Sequence, residues 1–350
     1  MNTERKQILV DFLQSQGARF EQDRLTAFSQ QPAPARHAPA LAVLESQTVM
    51  EIRGPDTGRF LQGQLTSNVD TLAPGHCQSS AVCTPKGRMY SSFNLLHTEQ
   101  GYLLAMHEGL VETTASTLGK YAVFFKSGIS TDINLVCLGL SGDNIDDTIE
   151  SIFGATPQDS NALKVDNGWL FKVPGLCSRY ELWLPVEDLE KLWEQLTPVF
   201  TPAPEDHWRL LDLEAVQPRL RPEAMEKYIP QHLNLASLGS VSFRKGCYTG
   251  QEIVARMQNL GELKSRTYRL TSEQQQPVAP MTKLFNSAGK SIGEVLEAIC
   301  PNGETGTEML AVIRVEAAEA GDVYLDAESS EQLRVQPLPY EINPREELQR

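Results

Sequence analysis

From Leu41 onward the chain alternates strand-like and helix-like segments, which limits it to folds that mix helix with sheet. LAVLES and TVMEIRG, within 41–54, have the composition of two strands, and Pro55 opens a helical stretch that carries Phe60, Leu61 and Leu65. Strand-like runs return at 89–96 and 101–106, followed by a helix that ends near KYAVFF. INLVCLGL, WLFKVP and YELWLP read as strands, with helical stretches near 145–153 and 186–196, so 133–204 is expected as a small, separate α+β unit. EDHWRLLDLEAVQ (205–217) predicts a strong helix, with Trp208, Leu211 and Ala215 at i, i+3 and i+7 and Asp206 as its cap. Between Arg266 and Leu338, short β-rich pieces punctuated by Gly289, Gly293, Gly303, Gly306 and Gly321 predict a small barrel or sandwich.

Ahead of this alternation, ERKQILVDFLQS (4–15) predicts a short amphipathic helix presenting Ile8, Leu9, Phe12 and Leu13, with Gly17 as its stop. QQPAPARHAP (30–39) then reads as an extended linker, because each proline removes a backbone donor and biases its predecessor away from helix. At 350 residues, the chain suits two or three domains. No run of about 18 apolar residues occurs, and charges are spread from Glu4 to Arg19, so neither a membrane span nor secretion is expected. Six scattered cysteines without a Cys-x-x-Cys pair fit reduced thiols in the cytoplasm. The formal charge of −14 argues against direct tRNA binding through phosphate neutralisation.

The chemistry concentrates in SFRKGCYTGQEIVARMQ (242–258). Arg244 and Lys245 precede Cys247, Gly246 and Gly250 allow unusual backbone angles around it, and residues 250–258 predict a helix with Ile253, Val254 and Met257 inward. Nearby cations and helix amide donors both favour the thiolate, so Cys247 reads as a reactive thiol with Lys245 stabilising its anion. Residues 241–270 carry six positive side chains against two negative ones, a net +4 within a chain of −14. A small buried hydrophobe is the other reading of such a cysteine. The six histidines make no ligand-like spacing with cysteines, so no intrinsic metal is expected.

The run Ile229-Pro230-Gln231, Asn234-Leu235, Ser242-Phe243 and Lys245-Gly246-Cys247-Tyr248-Thr249-Gly250-Gln251-Glu252 resembles the signature of the YgfZ family, which includes a mitochondrial iron–sulfur assembly relative. Supporting pieces are Gln62-Gly63-Gln64-Leu65-Thr66, Lys86-Gly87-Arg88, Lys120-Tyr121-Ala122-Val123-Phe124 and Pro337-Leu338-Pro339-Tyr340. The resemblance covers about residues 41–340 in matching order. It implies an α+β, three-domain fold shared with the T-protein of the glycine cleavage system, with tetrahydrofolate or a derivative as cofactor. The expected division is 1–39 as helix and linker, 40–132 plus 205–262 as the central folate-binding domain, 133–204 as the small α+β domain, 263–342 as the C-terminal β-barrel, and 343–350 as a polar tail.

In that fold a carboxylate in a Leu-Glu-Ala context recognises the pterin, and Leu213-Glu214-Ala215 matches it, although Val216 stands where glycine usually follows. A carboxylate suits this task because it accepts two parallel hydrogen bonds; a solvated helix glutamate is the plainer reading. Trp208 matches an aromatic associated with folate binding, and core packing is its alternative. T-proteins also carry an acid shortly after a glycine-rich turn, where this chain reads Lys86-Gly87-Arg88-Met89-Tyr90-Ser91-Ser92. Serine cannot hold the charge or take the proton such a carboxylate handles near neutral pH. The resemblance therefore implies a monomeric folate-binding factor that supports iron–sulfur tRNA-modifying enzymes of the methylthiotransferase type. The alternative is a tetrahydrofolate-dependent one-carbon transferase or demethylase.

Overall fold

A computed structural model describes residues 3–29, 32–260, 263–301, 305–328 and 330–348. Gln30 and Gln31 of the predicted linker, Glu262 of the local charge balance, Gly303 and the end of the polar tail lie outside the described residues. The chain forms two compact units, one of residues 1–57, 72–78 and 94–211, the other of 58–71, 79–93 and 212–350.

The first unit is built on a six-stranded sheet in the order Ala162–Val165, Gly168–Lys172, Ser178–Leu184, Val136–Gly142, Ala40–Val43 and Thr201–Ala203. Every pairing is antiparallel except that of Thr201–Ala203 with Ala40–Val43. Period-two alternation makes both faces apolar. Leu41, Val43, Leu138, Leu140, Tyr180, Leu182 and Leu184 face one core with Leu9, Leu13, Ile149 and Trp193 from the helices Thr3–Ser15, Asp146–Phe153 and Leu189–Leu196. Ala42, Leu44, Cys137 and Trp183 face a second core with Val49, Leu96, Leu103 and Trp208. The stretch 133–204 does not stand apart, because Val136–Gly142 pairs along Ala40–Val43 in one continuous sheet. The linker's composition signals a break in regular structure, not a break in hydrogen bonding.

Two helices differ in detail from their sequence patterns. In Thr3–Ser15 the buried stripe is Leu9 and Leu13, one turn apart, with Phe12 half-buried, while Ile8 falls on the solvent side. Asp206 does not cap the helix Glu205–Glu214 but lies in its first turn, paired with Arg24 and with Arg209 at 2.6 Å. Glu205 accepts from the Ser46 backbone N–H at 2.9 Å and from the Ser46 hydroxyl at 2.6 Å.

The second unit ends in a curled five-stranded antiparallel sheet in the order Lys283–Phe285, Ser291–Ile299, Thr307–Arg314, Ser265–Ser272 and Arg334–Val335. Leu270, Leu284, Val295, Met309, Ala311 and Ile313 fill its interior, closed by Ala317 and Ala318 of the helix Val315–Ala320. Where a small β-barrel or sandwich is expected, the C-terminal end thus forms a curled half-barrel sheet. Ahead of it, residues 212–250 are mostly turns and short 3-10 segments, Pro222–Ala224 and Pro230–Leu233, leading into the helix Gln251–Leu260.

Candidate functional site

Within the second unit, the segment Ser242–Gly250 is irregular backbone held against residues 63–67. The Ser242 N–H donates to the Thr66 carbonyl at 2.9 Å, and the Thr249 N–H donates to the Gly63 carbonyl at 3.3 Å. Between these ties, Lys245 Nζ donates to the Leu65 carbonyl at 2.7 Å and the Ser67 carbonyl at 2.8 Å. Its ammonium also lies 5.2 Å from the centroid of the Tyr248 ring. The receiving turn is itself rigid: Thr66 Oγ1 donates to the Ser240 carbonyl at 2.7 Å, and the Val69 N–H donates to Gln62 Oε1 at 2.8 Å. Burial pushes the Lys245 ammonium down to about 7, against the opposing pull of Asp70. Sequence reasoning assigned Lys245 to the thiolate and missed this tie to 65–67, whose only trace is the Gln62–Thr66 motif.

Gly250 closes the segment under tight constraint. It has φ of +86°, and a Cβ there would stand 2.5 Å from the Thr84 carbonyl oxygen. The motif glycine therefore permits a left-handed residue to pass directly against the turn at Lys86-Gly87-Arg88. Tyr248 is buried, and its phenol oxygen has no hydrogen-bond partner among the described residues. Burial, with Cys83 nearby, holds that phenol well above the ordinary tyrosine range. Cys83 itself is pushed up to about 12 by burial.

Cys247 stands apart from the other five cysteines. Cys77, Cys83 and Cys137 are buried, Cys177 and Cys300 are half-buried, and Cys247 alone is exposed. Gly246 beside it is exposed as well, its φ lies outside the left-handed region, and a Cβ there would meet nothing within 4 Å. Cys247 thus sits on a short free stretch between two clamps, open to the solvent. Gln251 opens the following helix, its N–H donating to the Tyr248 carbonyl at 3.1 Å, while Glu252 forms an exposed ion pair with Arg256 at 2.6 Å. The described residues hold no cluster of three His, Cys, Asp or Glu side chains suited to a metal ion.

Other signature residues are structural ties in the same unit. Asn234 Nδ2 donates to the Thr267 carbonyl at 2.9 Å and to Tyr340 Oη at 3.1 Å, and Tyr340 Oη donates to the Val216 carbonyl at 3.0 Å. Gln231 Nε2 donates to the Val254 carbonyl at 2.7 Å. Glu214 is half-buried at the end of its helix, and the chain then turns through Val216 at φ +48°. The Val216 N–H donates to the Leu213 carbonyl at 3.1 Å and the Gln217 N–H to the Asp212 carbonyl at 2.8 Å. This is a Schellman end, with a β-branched residue where glycine is favoured. Ser91 is fully buried, and Ser92 Oγ accepts from the Leu220 N–H at 3.0 Å, so that serine supports the backbone beyond the turn.

Trp208 belongs to the first unit and is 1% exposed. The Arg179 guanidinium carbon lies 4.0 Å from its ring centroid, and a Cβ on Gly139 would come within 2.3 Å of the indole. Its Nε1 is buried without a partner among the described residues. Beside it on the same sheet face, Glu181 is fully buried and accepts from Asn94 Nδ2 and Trp183 Nε1, each at 3.2 Å. The charged residue inside YELWLP was the sequence signal for this network. Taken singly, Glu214 keeps a half-buried carboxylate of the acceptor chemistry a pterin would need, whereas the Trp208 ring is already packed against Arg179 and Gly139.

A curated tRNA-modifying protein YgfZ from Pectobacterium carotovorum is 35% identical over 322 residues, spanning 90% of this chain and 96% of the relative. The chain belongs to the YgfZ family of tRNA-modifying proteins. Family members named in the same way from Pectobacterium atrosepticum and Photorhabdus laumondii are 34% and 31% identical, each spanning about nine-tenths of the chain. No protein-family model matches the chain. Among solved structures, the glycine cleavage system aminomethyltransferase T of Bartonella henselae superposes with a TM-score of 0.79 at 17% identity, covering 95% of this chain and 96% of that one. The YgfZ chain therefore has the T-protein fold that its motifs implied. No described helix is long and apolar enough to cross a membrane.

Proposed function

We propose that this protein is a folate-binding accessory factor of tRNA modification, maintaining or assembling the iron–sulfur enzymes that methylthiolate tRNA, with Cys247 as its working thiol. The observation that carries this reading is the exposure of Cys247, alone among six cysteines, on a stretch clamped by Lys245 and Thr249. A thiol held out in this way can exchange with a partner's sulfur without the loop having to unfold. Lys245 serves the site by fixing the backbone before Cys247. In a cell lacking the wild-type protein, Cys247→Ser should lower methylthiolated tRNA and iron–sulfur enzyme activity together. Normal levels of both would end the thiol reading.

Tetrahydrofolate, where bound, would be gripped at its pterin by Glu214, whose half-buried carboxylate offers two acceptor oxygens. Glu214→Ala should weaken folate binding by about tenfold or more, the scale of leaving buried polar groups unpaired. Unchanged affinity by calorimetry would remove Glu214 from the site. The one-carbon transferase reading draws on the likeness to an aminomethyltransferase. Ser91, buried, and Ser92, occupied by the Leu220 N–H, supply no acid at the corresponding position. Incubation with tetrahydrofolate and an aminomethyl thioether separates the two, since only the transferase moves the methylene carbon to folate, releasing ammonia and the free thiol with no change of oxidation state.

A further inference from the structure

The segment Lys120–Lys126 carries a motif that neither the thiol nor the folate uses. It ends the helix Glu108–Ala122, whose inner face buries Leu110, Val111, Leu118 and Ala122. Past Ala122 the chain tightens into a turn: the Phe124 N–H donates to the Tyr121 carbonyl at 3.1 Å, and the Phe125 N–H donates to the Ala122 carbonyl at 2.9 Å. Residues 54–57 of the same unit hold the turn from below. Asp56 Oδ2 accepts from the Lys126 N–H at 3.0 Å, and Thr57 Oγ1 and Ser127 Oγ share a hydrogen bond at 2.9 Å. Gly54, at φ +138°, lies so close that a Cβ on it would overlap the Lys126 carbonyl oxygen at 2.0 Å.

This backbone, fixed from within, holds two large apolar side chains in water. Val123 is 75% exposed and Phe124 80%, the highest values of any large apolar side chain among the described residues, and Tyr121 beside them is 37% exposed. Lys120 and Lys126, both exposed, bracket the tip, and neither ammonium takes part in an ion pair among the described residues. In a chain of 45 acidic and 31 basic residues, two free cations flanking an apolar tip are matched by an apolar pocket with an acidic rim. A lipid surface matches less well, because a net charge of −14 opposes approach to anionic headgroups and one small tip buries little in a bilayer.

We propose that the Val123–Phe124 turn docks into an acid-rimmed apolar pocket on the iron–sulfur tRNA-modifying enzyme that this protein serves, the identity of that partner resting on the function proposed above. Phe124 is the anchor, Val123 widens the apolar contact, and Lys120 and Lys126 steer and orient it. Because the tip contributes nothing to the interior, its removal leaves the fold and the Cys247 thiol as they are.

The test measures affinity of the full chain for a purified iron–sulfur tRNA methylthiotransferase by biolayer interferometry. Melting temperature and the rate of Cys247 alkylation serve as controls in every variant. Val123→Ser with Phe124→Ser should weaken binding at least tenfold. Lys120→Glu with Lys126→Glu should weaken it several-fold and flatten its dependence on salt, and Phe124→Ser alone serves if the double variant misfolds. Binding that is the same for wild type and variants overturns the docking surface and leaves the thiol reading to stand or fall on Cys247→Ser. Absence of binding by the wild type overturns it too. Co-sedimentation of the wild type with phosphatidylglycerol–phosphatidylethanolamine vesicles, lost in Phe124→Ser and without enzyme binding, would overturn it in favour of a lipid surface.

Discussion

The 244–250 loop and the 121–127 turn both hold exposed side chains on an immobilised backbone, but they are immobilised by different residues. In the loop, the pins are the loop's own side chains: Lys245 reaches the Leu65 and Ser67 carbonyls, and Thr249 Oγ1 lies 3.3 Å from Gln64 Oε1. In the turn, the pins come from outside it, from Gly54, Asp56 and Thr57, and the tip itself bears no structural duty. A change at Lys245 or Gly250 therefore disturbs the fold along with the proposed thiol role, whereas a change at Phe124 leaves the fold alone and tests the proposed docking by itself. Motif density alone does not reveal which residues touch a partner.

The glycines beneath each segment give the largest expected effects. Gly250→Ala and Gly54→Ala each drive a Cβ into a carbonyl oxygen, at 2.5 and 2.0 Å, from a backbone angle that alanine resists. Each should cost about 3 kcal/mol or more in urea unfolding, the sum of left-handed strain and forced displacement. A loss below about 1 kcal/mol in either would mean that its segment is not pinned as described. Lys245→Met comes next, at about 2 kcal/mol, because two buried carbonyls lose their donor. Its pH signature is more telling than its size. The folded protein releases the Lys245 proton near 7 and the unfolded chain near 10.5, so between these values the unfolded state binds more protons and stability rises with pH. Lys245→Met should remove that rise. An unchanged slope in the variant would assign the rise to another group.

The residues legible from sequence were those whose role is repeated locally. The helices 145–153 and 205–217 and the strands Val136–Gly142, Gly168–Lys172 and Ser178–Leu184 follow from periodicity, since alternation across a sheet is written residue by residue. The hairpin of Ala18–Glu21 with Arg24–Phe28 was missed, because its strands are short and Arg24 interrupts the apolar pattern. At the site, the signature pointed to Cys247, yet nothing local indicated that Lys245 reaches residues 178 and 180 positions away in sequence. The close packing of Trp208 on Gly139 and Arg179 was equally hidden. Such contacts depend on which strands become neighbours, and pairing partners distant in sequence leave no periodic trace.

The smallest expected effect separates the clamps from what lies between them. Gly246 is part of the same motif as Gly250, but it neither adopts a left-handed angle nor touches anything that a methyl group would displace. Gly246→Ala should therefore change unfolding free energy by less than about 0.5 kcal/mol, the range of surface substitutions. It should also leave alkylation of Cys247 by a small reagent unchanged. If the open space beside Cys247 serves a partner's approach, the same variant should lower methylthiolated tRNA in cells while its stability stays at the wild-type level. Loss of stability comparable to that of Gly250→Ala would place Gly246 among the clamps, and wild-type methylthiolation at wild-type stability would show that the space is not used.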